Sequence, residues 1–226
     1  MQQLLTDVFQ GKLKAGERLV VTALANRFQV SQSPIREALV TLEGIGIVDI
    51  AANRGAVVRK VSGHEIREIC QVRRALECQA VRLACGRIDL AELHELASAF
   101  RTAARPAATK RRPGVAAMKK RIEVARGLDS RLHDLIASSC GNQFLTRELS
   151  RLKLLFRSFR DVAWSTRSTA SDVARFCNEA KEHLAIVEAL LAEDSKAASK
   201  AMSRHIRMGV KYWTRGLPQD SSETAS

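Results

Sequence analysis

Apolar residues near the N-terminus recur with the spacing of two short helices. Leu24, Ala25 and Phe28 form one apolar face. From Ile35 onward, apolar residues follow three, four and seven positions later and end at Leu42, which is the stripe of an amphipathic helix. The pattern predicts two helices separated by a short turn.

Polar residues and glycines mark where these two helices begin and end. Thr22 is a candidate cap for the first helix, and Ser31 or Ser33 for the second. Pro34 lies in the first turn of the second helix, where its missing N–H costs little. Gly44 and Gly46 are predicted to terminate that helix.

Two short apolar runs follow the second helix. Ile47–Ile50 and Ala56–Val58 are strand candidates, and Asn53–Gly55 between them suits a tight turn. Residues 22–58 are therefore predicted to form a helix-turn-helix followed by a two-stranded wing.

A helix pair of this kind places its second helix in the major groove of DNA. Hydroxyl groups near the helix N-terminus suit phosphate, Gln suits an adenine edge, and Arg suits a guanine edge or a phosphate. A wing tip reaches a minor groove or a phosphate. The same pattern also fits a small helical hairpin whose polar residues are solvated. The candidate DNA-binding residues are Thr22, Ser31, Gln32, Ser33, Arg36, Arg54 and Gly55.

A resemblance to a known family favours DNA binding. The run LANRFQVSQSPIREAL, with KAGERL before it and NRGAVV after it, resembles the winged helix-turn-helix of the GntR superfamily of bacterial repressors. The resemblance covers about the first 60 residues. It implies a homodimer that binds a palindromic operator in double-stranded DNA. Gln32 stands where many relatives carry Arg, so the operator sequence is expected to differ.

The chain from Ser62 onward is predicted to be helical almost to its end. The predicted helices are 62–86, 89–104, 115–139, 142–166, 171–193 and 195–213. No strand-like alternation occurs after residue 60. The expected fold is mainly α, with an N-terminal winged helix-turn-helix (1–61), an all-α six- or seven-helix bundle (62–215) and a disordered tail (216–226).

Charge and composition change this interpretation little. The chain has 226 residues and a net charge of +13, but residues 1–60 contain eight basic and five acidic residues, a net of only +3. Segment 101–121 holds eight basic and no acidic residues. We interpret it as a solvated loop between helices, with a contact to DNA or acidic partners as the alternative.

Cysteine spacing and hydropathy indicate a reduced, non-membrane environment. The five cysteines form no C-x-x-C pair, and Cys70, Cys78 and Cys85 share one helical face, which favours buried thiols over disulfides or zinc ligands. No apolar run has the length of a membrane span, and the N-terminus lacks the basic region of a signal peptide. A cytoplasmic protein is expected.

Four residues of the bundle are candidates for a metal site. Asp129 and His133 are four residues apart and project from one helical face. His183 precedes the turn at residue 194 by 11 residues and His205 follows it by 11, so both are expected at the same height in an antiparallel hairpin. Three nitrogens and a carboxylate oxygen suit Zn²⁺, Ni²⁺ or Mn²⁺ rather than Ca²⁺. Each histidine alone also fits a hydrogen-bonded core or surface role.

A second resemblance concerns these same positions. LDSRLHDLIASSCGNQFL, EHLAIVEALLAED and SRHIRMG resemble the C-terminal effector (FCD) domain of the FadR-like branch of the superfamily. In its metal-binding members an Asp and three His hold a divalent ion. Asp129, His133, His183 and His205 match all four positions, so the resemblance implies a bound divalent metal.

Arg73 and Asn142 are candidates for effector binding. Arg73 lies within the inward stripe of the helix 62–86, where a charge needs a partner. The partner is either Glu77, one turn on, or an anionic ligand whose carboxylate is shared with the metal. VRRALE resembles the first effector-domain helix, whose Arg often points at the ligand. Asn142 matches a family Asn near the pocket, with a helix N-cap as its alternative role.

Two functions follow from these features. The first is a transcriptional regulator whose dimer binds DNA and responds to a small organic acid bound near the metal. The alternative is a metal-dependent hydrolase, because three His and a water also form a catalytic zinc site. The fourth protein ligand and the absence of an H-E-x-x-H helix disfavour the hydrolase, and Glu182 is expected to point away from the site. The regulator, not an enzyme, is therefore favoured.

Overall fold

The computed structural model describes residues 1–51, 55–105, 115–165 and 171–214. Within these ranges the chain forms nine helices and three strands. In chain order they are α1 (Gln2–Phe9), β1 (Arg18–Leu19), α2 (Val21–Phe28), α3 (Gln32–Ile45), β2 (Val48–Ala51), β3 (Gly55–Val58), α4 (Gly63–Ala84), α5 (Leu90–Ala103), α6 (Val115–Ser139), α7 (Gln143–Ser165), α8 (Ser171–Leu191) and α9 (Ser195–Trp213).

The elements divide into two compact units. The first contains Met1–Ile69 together with the described parts of Arg151–Ser168 and Trp213–Ser226. The second contains Cys70–Ser150 and the described part of Thr169–Tyr212. The predicted tail at 216–226, Arg54 and residues 106–114 of the basic segment lie outside the described residues. The ends of that segment were expected to belong to a loop, but 101–103 belong to α5 and 115–121 to α6.

The predicted helix-turn-helix is confirmed. Gln29 ends α2 in the left-handed conformation (φ 54°), and the N–H of Val30 donates to the carbonyl of Ala25 at 3.1 Å. Ser31 occupies the N-cap position of α3, although its side chain forms no capping hydrogen bond. The cap predicted at Thr22 is wrong, because α2 begins at Val21 and its N-cap is Val20, two residues before Thr22.

The wing contains one more strand than predicted. β2 and β3 pair antiparallel, and β1 pairs with the other side of β3 through Arg18 opposite Val57 and Leu19 opposite Ala56. Because β1 is only two residues long, it carries no readable alternation in the sequence. The C-cap of α3 is Gly46, whose φ of 90° is the left-handed conformation that favours glycine.

Helix α1 joins the N-terminal core, a contribution that the hydrophobic pattern of residues 22–58 did not predict. Leu4 and Val8 of α1 are buried in the same cluster as the α3 stripe. Asp7 is 0% exposed, and its Oδ2 accepts a hydrogen bond from Arg27 Nη2 of α2 at 2.6 Å. A buried carboxylate requires such a partner, so this ion pair joins α1 to α2.

All six helices predicted after residue 60 are present. Ser62 and Glu65 form a capping box, in which each backbone N–H donates to the other side chain. Asp89 caps α5 through the N–H groups of Ala91 and Glu92. Asp194 caps α9 in the same way. Among the described residues, no helix is both long and apolar enough to cross a membrane.

Leu42 of α3 provides a test of the N-terminal core. Leu42 is 0% exposed, so Leu42→Ala should lower the free energy of unfolding by about 2–5 kcal/mol through lost burial and a residual cavity. Val40, two residues earlier on the same helix, is 60% exposed, and Val40→Ala is the matched control. Chemical denaturation measures both variants. Equal effects would contradict the assigned orientation of α3.

Candidate DNA-binding surface and metal centre

The N-terminal part of α3 exposes polar side chains. Its apolar stripe, from Ile35 to Leu42, is buried against the core, which leaves Gln32, Ser33 and Arg36 exposed. Arg36 Nη2 donates a hydrogen bond to Gln32 Oε1 at 3.1 Å. The structure therefore places the predicted contact residues together on one accessible face.

The other predicted DNA-contact positions differ in what the structure describes. Thr22 is exposed in the first turn of α2. Gly55 is exposed at the start of β3, with a φ of 75°. Arg54 lies outside the described residues, so its place at the wing tip stays a prediction.

In the second unit, four side chains from three helices meet. Asp129 and His133 come from α6, His183 from α8 and His205 from α9, and one ligand atom of each lies within 4.8 Å of all the others. Asp129 Oδ1 is 3.2 Å from His183 Nε2 and 3.6 Å from His133 Nε2. The ring centroids of His183 and His205 are 4.2 Å apart, as their equal distances from the α8–α9 turn predict.

Two further carboxylates hold the outer edges of the imidazole rings. Glu77 of α4 accepts a hydrogen bond from His133 Nδ1. Glu182 Oε2 lies 3.2 Å from His205 Nδ1. Metal-binding histidines commonly donate their second ring nitrogen to a carboxylate in this way, which leaves Nε2 as the ligand atom. The expectation that Glu182 points away from the site is wrong, because its side chain reaches the neighbouring helix.

Phe100 fixes the third imidazole ring. Its side chain comes from α5 and stacks on His183, with ring centroids 5.0 Å apart and an angle of 23° between the planes. Phe100 and His183 are both buried. The sequence spacing does not reveal this contact, since α5 and α8 are not consecutive in the chain and no single turn relates the two residues.

The buried nitrogens test whether the four residues fit a metal ion. His133 Nε2 and His183 Nε2 are buried and have no hydrogen-bond partner within the described part of the chain, although each lies near Asp129 Oδ1. A buried polar atom without a partner costs about 1–3 kcal/mol. Because a divalent cation would accept both lone pairs, the donor set fits such an ion.

The protonation state of two rings agrees with this fit. Burial, reinforced by the nearby His133, lowers the pKa of His205 to about 3. Burial and His205 likewise lower the pKa of His183. Both imidazoles are therefore neutral near pH 7, the form that binds a metal.

Glu77 joins Arg73 to the histidine cluster. Its Oε1 lies 2.8 Å from Arg73 Nε, and its second oxygen binds His133. Burial opposes ionisation of Glu77, but Arg73 and His133 outweigh it and lower the pKa to about 2. The local partner predicted for Arg73 is thus present, and it also contacts a residue of the cluster.

Asn142 lies at the start of α7. Its Oδ1 accepts a hydrogen bond from the N–H of Leu145 at 3.0 Å, which is the N-cap role named as the alternative. Asn142 does not belong to the four-residue group, and its part in effector binding stays a prediction.

Comparison with known proteins agrees with both units. Residues 1–58 match the family described as bacterial regulatory proteins, gntR family, and residues 68–208 match the FCD domain. The second match covers more than half of the 226-residue chain. The protein belongs to the GntR family of transcriptional regulators and carries an FCD domain.

This GntR/FCD regulator aligns with its relatives over most of their length. It is 30% identical over 210 residues to the HTH-type transcriptional regulator BphR of Paraburkholderia xenovorans, covering 92% of this chain and 81% of BphR. It is 24% identical over 217 residues to the HTH-type transcriptional repressor RspR of Escherichia coli, covering 96% of this chain and 88% of RspR. These relatives are transcriptional regulators and not enzymes, and none of them supports the hydrolase alternative.

Solved structures with the same fold include two regulators. One is E. coli McbR/YncC, with a TM-score of 0.72, 21% identity and coverage of 94% of this chain and 93% of that one. The other is a transcriptional regulator GntR from Rhodococcus sp. RHA1, with a TM-score of 0.71, 20% identity and coverage of 96% of both chains. The GntR/FCD regulator thus has the mainly α fold that its sequence predicts.

Proposed function

We propose that this GntR/FCD regulator is a repressor whose operator binding is modulated by a small carboxylate held beside a divalent metal in the FCD domain. The observation that carries the proposal is the convergence of Asp129, His133, His183 and His205, with two of their buried nitrogens unpartnered in the described residues. The relative RspR is named as a repressor, which supports repression as the direction of regulation.

The proposed DNA-binding domain is residues 1–61. Arg36 and Gln32 lie four residues apart on the exposed face of α3, so both side chains can reach neighbouring base edges in the major groove. Ser31 and Ser33 lie at the N-terminus of the same helix, where hydroxyl and N–H groups suit phosphate. Two copies in a homodimer would bind the half-sites of a palindrome.

The proposed effector domain is residues 62–215, and its ion is Zn²⁺, Ni²⁺ or Mn²⁺. Three imidazole nitrogens with one carboxylate oxygen are ligands that these ions accept. When bound, the ion would supply positive charge that attracts a carboxylate. Glu77 and Glu182 would orient His133 and His205, and Phe100 would restrict the rotation of His183.

Arg73 is the proposed protein contact for the effector carboxylate. It is largely buried on the inner side of α4, where its positive charge lies beside Glu77, the carboxylate that also contacts His133 of the cluster. An anion that binds Arg73 would alter the contact between Glu77 and His133. Such a change links effector binding to the geometry of the histidine cluster, which is the coupling that a ligand-responsive regulator requires.

Removal of ligands tests the metal centre. The double variant Asp129→Ala/His183→Ala should lose bound metal, because half of the ligand set is removed, and should lose the effector response. Elemental analysis of the purified protein measures metal, and circular dichroism checks that the helices remain. His94→Ala, which removes an exposed histidine outside the cluster, is the control. Retention of one metal ion per chain in the double variant would refute the assignment.

Glu77 tests the outer contacts of the site. Glu77→Ala should weaken metal binding by roughly 10- to 100-fold, because His133 loses the carboxylate that orients it. Competition with a chromogenic chelator measures the affinity. Glu95→Ala, which removes an exposed carboxylate paired with Arg131, is the control and should leave the affinity unchanged. Equal affinities for both variants would exclude an orienting role for Glu77.

Arg36 tests the DNA-binding surface. A binding site is first obtained by selecting, from a random library, DNA duplexes that bind the purified protein. Fluorescence anisotropy then measures the affinity of the protein for that duplex. Arg36→Ala should weaken binding by roughly tenfold or more, since a bidentate contact to a base contributes about 1–3 kcal/mol. Thr41→Ala, on an exposed position farther along α3, is the matched control. Unchanged binding of Arg36→Ala would remove Arg36 from the interface.

A further inference from the structure

A second concave site lies on the outer surface of the bundle, between α4 and α9. Its volume is about 510 Å³, and all of its lining residues belong to the second unit. The Sγ of Cys78 on α4 donates a hydrogen bond to the carbonyl of Ser199 on α9 at 3.5 Å, so the two helices are in direct contact where they line this site. We call the site the basic groove. The groove shares no residue with the Asp/His cluster.

The groove concentrates positive charge. Five of its ten lining residues are basic and none is acidic: Arg74, Arg82, Lys196, Lys200 and Arg207. None of these five forms an ion pair with a carboxylate of the described residues, whereas other exposed arginines of the bundle do, as in Arg101–Glu188 and Arg131–Glu95. Like charges held together without counter-charges repel each other, so an anion would be stabilised here.

Ser199 adds a hydrogen-bonding group to the groove. Its side chain lines the site beside the basic residues, and a serine hydroxyl can both donate and accept a hydrogen bond. A ligand oxygen in the groove would accept a hydrogen bond from it.

The groove favours a small ligand with several negative charges. Its volume falls within the range of about 300–1,000 Å³ that is typical of small-molecule sites. The guanidinium groups of its arginines match phosphate oxygens in a bidentate manner. No lining residue is aromatic, so nothing would stack on a nucleobase. Pairing with a second copy about a twofold axis would bring five cations against five, which disfavours self-association.

We propose that the basic groove between α4 and α9 is a second anion site, which binds the phosphate groups of a small polyphosphate. The shared chemistry is a chain of linked phosphates, either free or as the tail of a nucleotide. The cations would neutralise the ligand, and Ser199 would donate its hydroxyl hydrogen to one phosphate oxygen. The site would be separate from the proposed effector pocket, so it does not depend on the metal assignment.

Isothermal titration calorimetry, in which inorganic triphosphate is added to the full chain, tests this proposal. The protein is first stripped of metal with a chelator and dialysed, which prevents triphosphate from binding through a metal. We expect saturable binding at one site per chain in 0.1 M salt. Arg74→Gln/Arg207→Gln should weaken it at least tenfold. The matched control Arg101→Gln/Arg131→Gln removes the same charge outside the groove and should change the affinity less than twofold.

Further variants and probes distinguish the alternatives. Ser199→Ala, with the charges intact, should weaken triphosphate binding severalfold, and circular dichroism checks the fold of every variant. Adenosine triphosphate in place of triphosphate should bind with similar affinity, because the groove has no stacking residue. Equal losses in the groove and control variants, or no binding by the parent chain, would overturn the proposal. Weaker duplex binding by Arg74→Gln/Arg207→Gln, without triphosphate binding, would instead assign the groove to DNA and also overturn it.

Discussion

The second unit is arranged around a set of buried polar groups that its own helices do not fully satisfy. His133 and His183 each place a buried Nε2 beside Asp129 without forming a hydrogen bond within the described residues. A bundle core of ordinary aliphatic residues would avoid this cost. The four side chains come from three separate helices, so packing of α6, α8 and α9 holds the arrangement in place. Cation binding is the simplest use of such a cluster.

Local geometry predicted the two pairs of this cluster, and the resemblance to the FCD domain indicated that the two pairs belong to one site. The four-residue interval places Asp129 and His133 on one helical face, and equal distances from a turn place His183 and His205 at one level. The contact of Glu182 with His205 could not be read from periodicity. The direction of the Glu182 side chain depends on how closely α8 and α9 approach each other, and this side chain is long enough to span the distance between them.

The features of the N-terminal unit that were missed or wrongly predicted, strand β1 and the cap of α2, also lack a periodic signal in the sequence. The amphipathic stripe of α3 extends over several turns and predicts both the helix and its buried face. Strand β1 has two residues, too few for any periodic signal. The cap at Thr22 was predicted from residue preference, yet the helix begins at Val21, since tertiary packing overrides a preference that contributes only about 1 kcal/mol.

Helix α4 connects the two anion-related features of the bundle. Its inner side carries Arg73, which shares Glu77 with His133, and its outer side carries Arg74 and Arg82 in the basic groove. Adjacent residues on a helix are about 100° apart, so Arg73 and Arg74 serve different surfaces although they are neighbours in sequence. Under the proposals made above, the effector and the groove ligand would therefore contact opposite sides of one helix.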